Sequence, residues 1–157
     1  FPHDALPIFK QREPTYTIGG SFAEYAVTDY SSIIPLRDET PIEAGVALFI
    51  NPITAICLID RIKQLKSETV IITAAASQLG RMLIRLAARE GIKTINVVRR
   101  PEQVDLLRNE LKAEYVVDSS AADYKERLTE LSQTLKPTSC LECIAGNTVG
   151  EMLGYLV

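Results

Sequence analysis

Histidine is nearly absent from this chain of 157 residues: the only one, His3, lies in an opening stretch, 1–8, that has no periodicity. Phe1–Ile8 resembles a translated sequencing-adapter sequence, with a natural loop as the alternative, and in either case it is set aside from fold reasoning. Without it, no histidine is left to carry protons or bind zinc. Cysteine is scarce as well. Cys57, Cys140 and Cys143 make an odd count without a spacing framework, which excludes a secreted disulfide scaffold. Cys140 and Cys143 form C-x-x-C inside the apolar run 140–144, which reads as a strand. Residues three apart on a strand point to opposite faces, so buried structural thiols are expected and a shared metal is not.

Long apolar runs are missing too. None approaches the roughly 20 residues that span a bilayer, and the N-terminus lacks the charged segment and apolar core of a secretory signal. No membrane partner is expected. Charge of one sign is not concentrated anywhere: the net charge is −3 and the basic residues are scattered, which argues against a nucleic-acid surface. Internal repeats and low-complexity segments are absent. The 46% apolar and 24% charged residues instead suit one globular core.

The sequence has regular periodicity. Ser21–Thr28 predicts a short strand after the Gly19-Gly20 turn. Thr40-Pro41-Ile42-Glu43 reads as a capping box with proline at the first helical position. Asn51-Pro52 repeats that start signal for a second helix to about Ile62. From Thr69 the period changes. Thr69–Ala74 is a continuous apolar run that fits a strand buried on both faces. Leu79, Met82, Leu83, Leu86 and Ala87 make one helical stripe, stopped by Gly91. A strand over 92–98, a helix opened by Pro101 with Val104, Leu107 and Leu111 on one face, and a short strand over 114–117 follow. Next come a helix marked by Tyr124, Leu128, Leu131 and Leu135, a strand over 139–144, and a last helix from near Thr148 in which the chain stops. Four strand–helix alternations imply right-handed crossovers: a Rossmann-type parallel sheet, α/β, with helices on both faces and about four strands.

The turn after the first of these strands, Ala74-Ala75-Ala76-Ser77-Gln78-Leu79-Gly80, lacks a full G-x-G-x-x-G. Small residues let the backbone approach a pyrophosphate at the helix start, with Gly80 at the position that brings helix and strand close. Plain packing would also favour small residues here. The second strand ends in Val98-Arg99-Arg100, where NAD-binding domains carry an acid for the ribose hydroxyls. An acid would repel a 2′-phosphate, whereas two guanidinium groups attract it, which points to NADPH over NADH. Simple solvation of a strand end is the alternative.

At these residues the sequence resembles the medium-chain dehydrogenase/reductase superfamily, in its zinc-free quinone oxidoreductase and 2-enoyl thioester reductase branch. The matching stretches are Gly20–Tyr25, Asn51–Ala55, Ala74–Gly80, Thr94–Arg100 and Ile144–Gly146, in order along the chain. Each is modest alone, and their order makes the set specific. The resemblance implies that Thr54 lies near the cofactor phosphates or nicotinamide. It gives the backbone N–H groups of Ser77, Gln78 and Leu79 to the pyrophosphate, Arg99 and Arg100 to the 2′-phosphate, and Ala145 and Gly146 to the nicotinamide side. Gln78 stands where many relatives have glycine. The zinc-dependent branch's ligands have no counterpart here. The tyrosine proton donor of the enoyl reductases belongs to a part not in this sequence, so no catalytic residue is assigned.

The family's chains are longer, so the resemblance also implies a fragment. In that reading 9–50 is a remnant of the catalytic domain and 51–157 is a partial NADPH-binding domain, cut before the fifth and sixth strands and left with an open sheet edge. The expected function is hydride transfer from NADPH to a small-molecule substrate, a quinone or an enoyl thioester C=C. The whole enzyme is expected to be a homodimer in the cytoplasm, or in the mitochondrion of a eukaryote. Two rivals remain: a non-catalytic nucleotide-binding or oligomerising protein on the same fold, and a methyltransferase, which would want an acid where Arg99-Arg100 stands.

Overall fold

The computed structural model describes Glu24, 27–29, Ser31 and 33–157. The chain divides into two compact units, 1–40 and 41–157. In the first, the Asp29 carboxylate accepts from the N–H and hydroxyl of Ser31, both at 2.7 Å. The strand expected over 21–28 lies outside the described residues, apart from Glu24, Val27 and Thr28, which belong to no strand.

The second unit opens with a four-residue helix α1 (Ile42–Gly45). The expected capping box is not formed. Pro41 itself is the cap residue, with extended ψ of 141°, so helical geometry begins one residue later and Thr40 makes no cap hydrogen bond. Helix α2 (Ile50–Gln64) also departs from its start signal. Phe49 already has helical backbone angles, so Asn51 falls inside the first turn and does not cap, while Pro52 sits in that turn as expected.

From there strand and helix alternate: β1 (Thr69–Ile72), α3 (Gln78–Arg89), β2 (Lys93–Val98), α4 (Pro101–Leu111), β3 (Tyr115–Asp118), α5 (Tyr124–Leu135), β4 (Ser139–Leu141) and α6 (Asn147–Leu153). The four strands form one parallel sheet in the order β3-β2-β1-β4. Chain order runs outward from β1 through β2 to β3, then returns to the other side of β1. The switch point therefore lies between β1 and β4, and the crevice beyond their carboxyl ends is where this architecture binds ligands.

Both sheet faces are covered. Val70, Ile72, Val98 and Val116 pack with Ile59 of α2, Leu83 of α3 and Leu107 of α4. Ile71, Ile95, Val97 and Val117 pack with Leu128 of α5 and Met152 of α6. Every residue of β1 is buried, as its unbroken apolar run requires. Each large aliphatic side chain so buried contributes about 1.5–3 kcal/mol. Gly91 stops α3 as expected. At φ +71° it lets Ile92 N–H reach Ala87 O at 2.9 Å and its own N–H reach Ala88 O at 3.3 Å, so both orphan carbonyls are satisfied.

Two further expectations fail. The strand predicted over 139–144 ends at Leu141, because the N–H groups of Cys143, Ile144 and Ala145 turn away from the ladder to side chains. Cys143 therefore lies past the strand, exposed, and only Cys140 is on it, half-buried. The last helix does not run to the end of the chain. It closes at Leu153, and Val157 N–H returns to Pro137 O at 3.0 Å.

Candidate functional site

Beyond the carboxyl ends of β1, β2 and β3 lies a cavity of about 620 Å³. Its floor is the turn after β1. Ala74, at φ +46°, breaks the strand direction there. The turn then closes through Ser77 N–H to Ala74 O at 2.9 Å, and Ala75 N–H bonds Val97 O at 3.1 Å. Ser77 caps α3: its hydroxyl accepts from Gly80 N–H at 3.1 Å. Gly80 in turn cannot carry a side chain, because an added Cβ would lie 2.4 Å from the carbonyl oxygen of Ala75. The missing glycines of the sequence pattern are thus replaced by two devices, a left-handed alanine and a serine cap, while the third glycine keeps its packing role.

At the start of α3 the N–H groups of Gln78 and Leu79 have no acceptor among the described residues, and the first turn holds no acid. Two free donors at the positive end of a twelve-residue helix suit an anion. Ser77 differs from its expected role, since its own N–H is already bonded within the turn and it contributes the cap instead.

The cavity's rim carries Arg99, directly after β2. Its N–H is held by Gln103 Oε1 at 3.1 Å, and Gln103 also lines the cavity. Arg100 does not line it. That residue caps α4, and its guanidinium lies 3.8 Å from Glu102 on the exposed side. Of the two arginines, the structure therefore brings only Arg99 together with the alanine turn. Thr54, half-buried on α2, is not among the lining residues either.

The remaining wall comes from Ser119 after β3, Tyr124 of α5, Ile144 after β4, and Thr148 and Glu151 of α6. None of these carries a site signal in the sequence. Tyr124 belongs to the helical stripe of α5, and it serves both as core and as lining. Burial, then the nearby charge of Glu151, pushes its hydroxyl up to about 12, so it stays a neutral donor. Ala145 and Gly146 themselves do not line the cavity; their neighbour Ile144 does.

The loop from 142 to 146 is fixed by one carboxylate. Glu142 Oε1 accepts from Ile144 N–H at 2.7 Å, and its Oε2 accepts from Ala145 N–H at 2.8 Å. The buried hydroxyl of Thr73 donates to Oε1 at 3.3 Å and accepts from Cys143 N–H at 2.9 Å. Burial opposes the charge on Glu142 more than any other single influence. The donors of Ala145, Ile144 and Thr73 together still hold its carboxyl below the ordinary value. A lone glutamate inside an apolar run was the one available sign of this arrangement.

No family model matches the chain. Among curated proteins, it is 29% identical over 147 residues to the mitochondrial enoyl-acyl-carrier-protein reductase of Arabidopsis thaliana, covering 91% of this chain and 39% of that protein. It is also 29% identical over 141 residues to the enzyme of the same name from Homo sapiens, covering 87% and 38%. The chain thus spans about two fifths of the length of these relatives. Among solved structures, a protein named as an NADPH:quinone reductase of Mesorhizobium loti superposes with a TM-score of 0.80 at 36% identity, over 87% of this chain and 40% of that one. The quinone oxidoreductase of Thermus thermophilus, solved also with NADPH, shares the fold with a TM-score of 0.64 at 24% identity, over 81% and 41%.

Proposed function

We propose, from the chain's kinship in sequence and fold with the medium-chain dehydrogenases/reductases, that it is the nucleotide-holding part of an NADPH-dependent oxidoreductase. One observation carries this reading: a single cavity joins Arg99 to the Ala74–Ser77 turn. Beside that turn lie the unpartnered N–H groups of Gln78 and Leu79. The helix start suits a pyrophosphate. The guanidinium at the end of β2 suits the 2′-phosphate that distinguishes NADPH from NADH. Ile144, exposed yet lining the cavity, offers an apolar wall for the nucleotide base. When bound, NADPH supplies the hydride; the chain's own residues hold and orient it.

The acceptor in this reading is the activated C=C of an enoyl thioester or a quinone. The names of the curated relatives support the first, and the Mesorhizobium loti structure supports the second. The whole enzyme is a homodimer, placed in the cytoplasm or, as those curated names have it, in the mitochondrion. No helix among the described residues is long and apolar enough to cross a membrane.

The experiment is direct. Full-length enzyme is titrated with NADPH and with NADH by nicotinamide fluorescence, then assayed for NADPH oxidation with a trans-2-enoyl thioester and with a quinone. Tighter binding of NADPH and turnover of one acceptor class are expected. Equal affinity for the two nucleotides would defeat the cofactor assignment, and binding without oxidation of either acceptor would favour a nucleotide-binding protein without catalysis.

A further inference from the structure

The loop after β4 raises a question that the nucleotide reading leaves open: what keeps Ile144 in the cavity wall. Its side chain is 55% exposed, so core packing does not fix it. The backbone around it is not held by the sheet either, since the ladder ends at Leu141. The next residues take an uncommon path. Ala145 and Gly146 are both left-handed, at φ +68° and +69°, and Ala145 adopts that conformation at a steric cost. Such a path persists only where its surroundings over-determine it.

Two side chains provide that determination. Three consecutive N–H groups, of Cys143, Ile144 and Ala145, are bonded to Thr73 and Glu142 and to no backbone carbonyl. Thr73 is fully buried at the end of β1, one residue before the left-handed Ala74 of the phosphate-side turn. The Thr73–Glu142 bond therefore ties the loop bearing Ile144 to the same strand end from which the turn departs. Glu142 is not itself among the cavity-lining residues. Its carboxylate is directed to the loop's own donors.

We infer that Glu142 is a positioning residue: anchored on Thr73, it holds the 142–146 loop so that Ile144 walls the cavity, and in this way it sets affinity for the part of the nucleotide that NADH and NADPH share. The inference rests on the nucleotide reading above. It also separates two jobs within one cavity. Arg99 discriminates between the nucleotides, while Glu142, acting through Ile144, supports both.

The test compares wild type, Glu142→Gln, Ile144→Ala and Arg99→Ala in the full-length chain, with NADH and NADPH titrated separately and thermal melting recorded for each. Glu142→Gln keeps the size of the side chain but replaces one acceptor oxygen by an amide that meets another donor. It should weaken both nucleotides by the same factor, about tenfold, with the change carried by KM for nucleotide and not by kcat. Ile144→Ala removes only an exposed side chain and leaves the bonds of Glu142 intact, so it tests the Ile144 step by itself even if Glu142→Gln fails to fold, and it should weaken both nucleotides alike. Arg99→Ala should weaken NADPH alone. Wild-type affinity in a folded Glu142→Gln or in Ile144→Ala, or a loss confined to NADPH in either loop variant, would overturn the inference. Absence of binding by the wild type would instead bring down the nucleotide reading, and this inference with it.

Discussion

Gly80 lies so close to Ala75 that a Cβ built on it would come within 2.4 Å of the Ala75 carbonyl oxygen and 2.7 Å of two more backbone atoms. Both residues are backbone-locked, since Ala75 N–H bonds Val97 O and Gly80 N–H bonds the Ser77 hydroxyl. Neither can retreat without breaking the turn. Gly80→Ala should therefore cost about 3 kcal/mol or more, at the upper end of overpacking effects. Ala74, six residues earlier, has the opposite problem: a side chain at φ +46° where glycine would be unstrained. Ala74→Gly should stabilise the fold by up to about 1 kcal/mol. Urea denaturation of both variants checks the pair, and a stable Gly80→Ala protein would show that α3 does not pack as closely as described.

The two arginines after β2 should behave differently. Arg99 lines the cavity, whereas Arg100 lies 3.8 Å from Glu102 on the exposed surface. Exposed pairs of that kind contribute about 0–1 kcal/mol. Arg99→Ala should remove a charge-assisted contact of about 1.5–3 kcal/mol with the 2′-phosphate, a loss of roughly ten- to a hundredfold in NADPH affinity with little change for NADH. Arg100→Ala should leave both affinities within about twofold, since it touches neither. Isothermal titration of each single variant decides this, and a double variant would hide it.

Much of this organisation was legible in the sequence, for a physical reason. β1 is buried on both faces, so its run of apolar residues could be read without any partner. Pro101 at the first position of α4 and Gly91 after α3 act through their own backbones, and both appeared where expected. What failed to show was whatever depends on a distant partner. The end of β4 is set by Glu142 and by Thr73, which lies 69 positions earlier in the chain. Within the apolar run 140–144 a strand was the natural reading, because Glu142 alone gave no sign of its distant partner Thr73. Arg99 and Arg100 look alike in a sequence. Only the path of the chain into α4 sends one to the cavity rim and the other to Glu102. Ser119 and Tyr124 become site residues only once parallel pairing sets β3 beside β2.

Acid should loosen the loop after β4. Burial acts against the charge of Glu142, but the N–H groups of Ala145 and Ile144 and the Thr73 hydroxyl outweigh it, and the folded carboxyl titrates below its ordinary value of 4.5. A group depressed in the folded state contributes stability that is fully present above the unfolded value. That contribution is lost as pH falls through the folded one. Amide exchange at Ile144 and Ala145, corrected for intrinsic rates, should therefore be slow at neutral pH and accelerate below about pH 4.5. In Glu142→Gln it should be fast throughout and lose that pH dependence. Equal protection in the two proteins at neutral pH would show that the carboxylate does not hold the loop.

Asn96, fully buried in β2, makes an unequal set of bonds. Its Nδ2 donates to Thr94 Oγ1 at 2.9 Å, Tyr115 O at 3.0 Å and Thr94 O at 3.2 Å, while its Oδ1 has no partner. The side chain is thus there as a donor to two strand carbonyls. Asn96→Asp keeps the shape and removes both donors, leaving a carboxylate against those same carbonyl oxygens. The cost at pH 7 should be about 3 kcal/mol or more, well beyond that of a lost neutral bond. The buried acid would have its folded pKa raised, so the penalty should be small below the unfolded value of about 3.9 and grow as pH rises above it. Asn96→Leu also abandons the carbonyls but removes the orphan oxygen and adds apolar volume, and it should cost less than the aspartate. Urea midpoints at pH 4 and pH 7 distinguish the cases: an Asn96→Asp protein with the same midpoint shift at both would mean that water reaches this position.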